Sequence, residues 1–311
     1  MTTNVNPPFA SNLTPMCNAW IFLNEDEPSG TNYNSPTSAY QRMITHGVYE
    51  ANDIINLCFV DIVPTSASTY PVGNGKTYTL TMGDVPHPPN SNGIVPTNQD
   101  YMEWIVRDAK AANPKIKICL TLLYGKQHLI SQIFPDPNNP DQASAQAFAD
   151  NVVAFLKKYN LDGFDIDWEW HYLSDDTTQA QFKTTFSAVG PALKKEGMLL
   201  TMGPATTNHL DPETVNDHFD IIAFQMYYSN GLPLEFINYG IAPDKFAYGA
   251  KFEPNQPSTP DGPGQQSATQ AFEAMQTYGF KAVTTWRLNS QNFEYEQDQQ
   301  LALSKLVRSG H

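Results

Sequence analysis

Four acidic residues crowd into one short stretch, Leu161-Asp-Gly-Phe-Asp-Ile-Asp-Trp-Glu-Trp170. Side chains alternate faces along a strand, so Asp165, Asp167 and Glu169 point one way while Phe164, Ile166 and Trp168 point the other. Same-face neighbours lie about 7 Å apart, where two charges at an effective dielectric of about 20 repel by about 2.4 kcal/mol. Three carboxylates so placed do not all stay ionised cheaply, and a carboxyl kept protonated by its neighbours is a general acid. A solvated acidic stripe on an edge strand is the bland alternative, and strand propensity opposes aspartate at mid-strand. A divalent-cation site is a second alternative. Such a site recruits ligands from several strands, and no matching acid or histidine ends the fifth, sixth or eighth apolar run.

The elements that must hold these acids are legible as repeating apolar runs. They are 20–23, 54–60, 116–123, 163–168, 199–202, 221–227, 246–252 and 282–286, each followed by a helical pattern. Strands separated by helices pair in parallel through right-handed crossovers, and about eight such units fit a single closed (β/α)₈ TIM barrel spanning 1–311. Helices are expected over 100–112, 142–158, 265–279 and 294–308. In the first, Met102, Ile105, Val106 and Ala109 share a face; in the second, Ala145, Phe148, Val152 and Phe155 do. The acidic run is then the fourth barrel strand. Loops 24–36, 64–98 and 253–266 follow strands directly, which puts them on the C-terminal face where such barrels build active sites. Segment 134–141 follows a short helical stretch instead. Val72-Gly-Asn-Gly75 reads as a hairpin turn between Thr/Tyr-rich arms.

Composition narrows the function. The chain has 311 residues, 18 basic and 32 acidic side chains, and a net charge of −14, a poor match for a phosphate backbone. No apolar run approaches the length of a bilayer span. Asn, Gln, Ser, Thr and 24 prolines replace charge, which suits rigid polar loops. Cys17, Cys58 and Cys119 read as buried free thiols, and no zinc-type spacing or cofactor motif occurs. Residues 1–10 lack the basic and apolar regions of a secretion signal.

Asp162-Gly-Phe-Asp165-Ile-Asp167-Trp-Glu169 resembles the DxxDxDxE signature of glycoside hydrolase family 18, the chitinases and related endo-β-N-acetylglucosaminidases. Gln225-Met-Tyr227 resembles the family's Gln-x-Tyr version on the sixth strand, and Trp286 resembles the tryptophan that floors its sugar pocket. The resemblance implies a retaining, substrate-assisted hydrolase of N-acetylglucosamine polymers that uses no cofactor and no metal. It implies Glu169 as the acid and base, Asp167 orienting the substrate acetamido group, Asp165 sharing a proton with Asp167, and Tyr227 holding the acetamido carbonyl. Gln225, Trp286, Phe59 and Trp170 are expected to contact sugar, with Tyr124, Tyr172 and Tyr228 as further stacking candidates. Asp162 is expected to serve the strand's entry turn.

The family's Ser-x-Gly-Gly on the third strand is here Thr121-Leu-Leu-Tyr-Gly125, and Trp170-His171 replaces an aromatic followed by proline. The 253–266 segment is too short for the extra α+β insertion of many exo-acting members, so internal cleavage of chitin by a monomer is expected. An endo-β-N-acetylglucosaminidase acting on N-glycan cores is the alternative, followed by a non-catalytic glycan-binding protein. Chitin's location points to a secreted protein, with a cytoplasmic one as the alternative.

Overall fold

The computed structural model describes residues 9, 11–23, 32–67, 77–83, 85–122, 130–170, 176–254 and 264–310. Among them, nine strands form one sheet: β1 (Met16–Phe22), β2 (Ile54–Pro64), β3 (Tyr78–Thr81), β4 (Lys117–Leu122), β5 (Gly163–Trp168), β6 (Leu199–Pro204), β7 (Ile221–Phe224), β8 (Phe246–Lys251) and β9 (Ala282–Trp286). All pairings but β2–β3 are parallel, and contacts of β1 with both β9 and β2 close eight strands into a barrel. β3 stands outside that circle, antiparallel to the far end of β2. β3 falls in the Thr/Tyr-rich arm expected after the turn at 72–75; the turn and residues 68–71 before it lie outside the described residues.

Eight helices alternate with the barrel strands: α1 (Ala39–Thr45), α2 (Asn98–Ala112), α3 (Gln142–Lys158), α4 (Gln179–Lys195), α5 (Pro212–His218), α6 (Leu232–Asn238), α7 (Ala268–Tyr278) and α8 (Phe293–Ser309). Their starts follow from local hydrogen bonding. Asp141 accepts from Ser144 N at 2.8 Å to begin α3, and Thr178 with Gln181 forms a reciprocal capping box on α4. The faces of α2 and α3 expected to be apolar are the buried ones. No insertion sheet stands between β8 and β9 among the described residues; α7 alone makes that crossover.

Alternation along each strand divides the apolar side chains into two cores. Phe164, Ile166 and Trp168 face the helices in a large outer layer. Trp20, Ile54, Cys58, Phe59, Cys119, Ile221, Ala223, Ala247 and Ala282 fill a smaller cluster inside the barrel. The three cysteines are free and buried, and burial pushes each thiol up.

Small residues make room in that interior. A Cβ at Gly203 would stand 3.0 Å from Trp20 Cζ2, and one at Gly249 would stand 1.8 Å from the Phe224 carbonyl oxygen. The first contact seats the Trp20 indole in mid-barrel. The second sets how closely β8 approaches the end of β7, from which Gln225 and Tyr227 emerge. Because backbone rather than a flexible side chain blocks that space, Gly249→Ala is expected to cost about 3 kcal/mol, at the upper end for overpacking. Thermal unfolding measures it, and an unchanged midpoint would mean that β7 and β8 separate freely.

Candidate active site

The acidic run forms β5, and its inward side chains rise through the barrel toward the C-terminal face. Asp162, just before the strand, is apart from the others. Its carboxylate accepts from Ile118 N at 3.0 Å and pairs with Lys110 and Lys117 at 2.8 and 3.4 Å. It ties the entry of β5 to β4 and is not a cavity residue.

Asp165 lies deepest, 1% exposed, and three donors surround it. Trp20 Nε1 and Thr121 Oγ1 donate to Oδ2 at 3.1 and 2.9 Å, and Thr201 Oγ1 donates to Oδ1 at 2.6 Å. The altered third-strand motif therefore still supplies a ligand to Asp165, through Thr121. Burial raises the Asp165 carboxyl above its usual range, and these hydrogen bonds pull against that rise.

Asp167 is the next inward residue and is held well above the usual carboxylate range. Burial is the largest cause, followed by the charge of Glu169 and a hydrogen bond with it; the charge of Asp165 comes after these. Two points differ from the reading of the sequence. Desolvation outweighs mutual crowding, because the barrel interior removes water from both aspartates before they repel. Asp167 hydrogen-bonds to Glu169, while Asp165 accepts from the Trp20 indole and the Thr121 and Thr201 hydroxyls.

Gln225 ties the outer two acids together. Its Nε2 stands 3.0 Å from Asp167 Oδ1, 2.7 Å from Glu169 Oε1 and 3.2 Å from the Gly203 carbonyl. An amide hydrogen on each carboxyl fixes both side chains toward one point. Tyr227, 5% exposed, comes from the same strand end, and burial with the nearby Glu169 charge pushes its phenol up. A phenol so raised stays protonated and remains a donor at neutral pH.

These groups line one cavity of about 270 Å³, together with Trp20, Phe22, Phe59, Trp286, Glu253 and Arg287. Trp286 packs against Phe22 and Trp20 with ring centroids 6.0 and 6.2 Å apart, and Phe59 meets Phe22 edge-on at 5.4 Å. The Cys58–Phe59 and Trp286–Arg287 peptide bonds are cis. One wall is thus aromatic and the opposite one acidic, an arrangement suited to a pyranose with its apolar ring face and polar rim. Among the described residues, no group of three His, Cys, Asp or Glu side chains has the geometry to hold a metal ion.

A family model, Glycosyl hydrolases family 18, matches residues 31–288. The chain belongs to glycoside hydrolase family 18. An endochitinase of Brugia malayi is 28% identical over 148 residues, which cover 43% of this chain and 29% of that protein. The match thus spans less than a third of the relative's length. A class V chitinase from Nicotiana tobaccum is 13% identical, with a TM-score of 0.61 over 93% of this chain and 99% of the other. A fungal endo-β-N-acetylglucosaminidase of the same family is 14% identical, with a TM-score of 0.57 over 94% and 99%. At these identities the two structures attest the shared barrel.

Within this family 18 barrel, the structure brings Asp165, Asp167, Glu169, Gln225, Tyr227, Phe59 and Trp286 to one cavity. Trp170 is not among its lining residues; it is 52% exposed on the turn after Glu169. Tyr228 joins the lining, while Tyr124 and Tyr172 lie outside the described residues. Sequence reasoning passed over Trp20, Thr121 and Thr201 as ligands of Asp165, and Lys251, Glu253 and Arg287 beside the cavity. For Trp20, Thr121, Thr201 and Lys251 the signal is their inward position on barrel strands β1, β4, β6 and β8, whose registers are set by pairing.

Proposed function

We propose that this glycoside hydrolase cleaves internal β-1,4 bonds between N-acetylglucosamine units, in chitin or chitooligosaccharides, with retention at the anomeric carbon. The observation that carries this reading is the bonding of Asp167 and Glu169 to Gln225 on the wall facing Trp286 in one cavity. A mutant of the Nicotiana tobaccum chitinase has been solved in complex with NAG4, which supports an oligomer of N-acetylglucosamine as the ligand.

Glu169 delivers its proton to the glycosidic oxygen as the C1–O bond breaks. The acetamido carbonyl oxygen of the same sugar attacks C1 and forms an oxazolinium ion, so the protein supplies no nucleophile. Asp167 accepts from the acetamido N–H as positive charge grows there, and Tyr227 donates to the carbonyl oxygen and holds it in line. Asp165, held by Trp20, Thr121 and Thr201, keeps Asp167 in an environment where a proton passes readily between Asp167 and Glu169. Water then attacks C1, returns a proton to Glu169 and releases the sugar with its original configuration. Among the described residues α7 is the one element between β8 and β9 and no added sheet walls the groove there, which favours entry of an internal bond.

Colloidal chitin and a high-mannose glycoprotein offered side by side test the substrate. Release of short N-acetylglucosamine oligomers from chitin, with the glycoprotein left intact, is the expected outcome. Deglycosylation of the protein with chitin untouched would reassign the chain to N-glycan cores.

A further inference from the structure

A second charged group reaches the cavity from β8 and β9. Arg287 Nη2 donates to Glu253 Oε1 at 3.0 Å, with side-chain exposures of 6% and 14%. The guanidinium lies over the rings of Phe22 and Trp286 at 5.2 and 5.8 Å, which fixes its plane beside the sugar floor. Lys251 Nζ stands 3.8 Å from Glu253 Oε2, beyond hydrogen-bond length, and that oxygen has no hydrogen-bond partner among the described residues. Lys251 also faces the rings of Tyr227 and Tyr228 at 5.7 and 5.8 Å.

Burying charges in this way is poorly suited to holding a barrel together. The desolvation penalty commonly cancels the attraction, and apolar residues of similar size serve at least as well. The hydrolytic scheme above leaves Glu253 and Arg287 without a task, although both line the same cavity as Glu169 and Trp286. A ring hydroxyl both donates and accepts. A guanidinium beside a carboxylate answers both demands at once.

We propose that the Glu253–Arg287 pair is a specificity-determining element that reads a free hydroxyl, the 3- or the 6-hydroxyl, of the sugar lying against Trp286. The proposal rests on the reading of this cavity as a site for N-acetylglucosamine units. It adds that one hydroxyl, distinct from the acetamido group read by Asp167 and Tyr227, is recognised by charge on the β8–β9 side. Epimers or deoxy sugars lacking that hydroxyl lose the bonds the pair offers and are rejected.

The test uses chromogenic chitobiosides whose reducing-end sugar, the one against Trp286, lacks the 3- or the 6-hydroxyl, each compared with the parent compound by kcat/KM. The wild-type chain is expected to cleave one of them about a hundredfold less efficiently or worse, as sites built to bond a hydroxyl do. Arg287→Met and Glu253→Gln are expected to cleave the parent as poorly as that one analogue, so that discrimination collapses for it, while the other analogue and its parent keep their ratio. Glu253→Gln, nearly isosteric, decides the matter if Arg287→Met does not fold, with thermal unfolding as the check on both. Wild-type discrimination retained in a folded Glu253→Gln variant overturns the role of the pair while leaving the hydrolytic reading intact. Failure of the wild-type chain to cleave or bind the parent overturns both.

Discussion

Glu169→Gln is expected to lower turnover of chitooligosaccharides by about a thousandfold or more, the range for loss of a general acid, or about 4 kcal/mol. The substitution keeps the side chain's length and leaves an oxygen able to accept from Gln225 Nε2, which stands 2.7 Å from the carboxyl. Shape and hydrogen bonding therefore survive while the transferable proton is lost. Affinity for a tetramer, measured by calorimetry, should stay within about threefold, because an interaction made only in the transition state contributes nothing to ground-state binding. Equal losses in turnover and affinity would instead mark Glu169 as a binding residue.

Asp167→Asn carries the second large effect, in two directions at once. Activity is expected to fall by about a hundredfold, as when one preorganised partner of developing charge is removed. Stability is expected to rise at neutral and alkaline pH. Burial holds the Asp167 proton well above the ordinary carboxylate value of 3.8. The folded chain thus keeps a proton that the unfolded chain has already released, so stability is full below about pH 4 and is lost as pH rises through the raised value. Asparagine removes that loss and can still accept from Gln225. The unfolding midpoint of the variant should exceed that of the wild type at pH 8, with the gap closing toward pH 4. A gap independent of pH would show that Asp167 is no more costly to ionise in the barrel than in the unfolded chain.

That combination of lost activity and gained stability is the signature of a site whose charges are held against solvation for chemistry. The same logic accounts for Asp165. Its three donors come from β1, β4 and β6, and its acidity is lifted by burial despite them.

Much of the scaffold could be read from the order of residues because its determinants are local or periodic. The α3 helix spans 142–158 as the apolar spacing and the final lysines require, and α2 begins two residues before the expected 100, at a capping box of Thr97 and Asp100. The alternation on β5 placed its three acids on one face and Phe164, Ile166 and Trp168 on the other without reference to any neighbour. Short helices such as α5 and α6 carry too few periods to stand out, and tertiary packing decides them.

What escaped the sequence depends on pairing across the barrel. Trp20 lies 145 residues from Asp165, and Thr201 lies 36 away; only closure of the strands brings either to the carboxylate. Crowding is calculable from spacing along one strand, whereas desolvation requires knowing what covers it. That is why burial, and not repulsion, turned out to be the larger cause at Asp167. Glu253 and Arg287 gave no signal for the same reason, since each alone is an ordinary charged residue at a strand end.

Attack on C1 by the substrate's own acetamido group, beside Asp167 and Glu169, is exposed by weakening that nucleophile. Chromogenic chitobiosides bearing acetyl, fluoroacetyl, difluoroacetyl and trifluoroacetyl amides differ little in size and greatly in carbonyl basicity. kcat/KM is expected to fall steadily with each fluorine; a rate indifferent to fluorination would rule out the acetamido oxygen as the nucleophile.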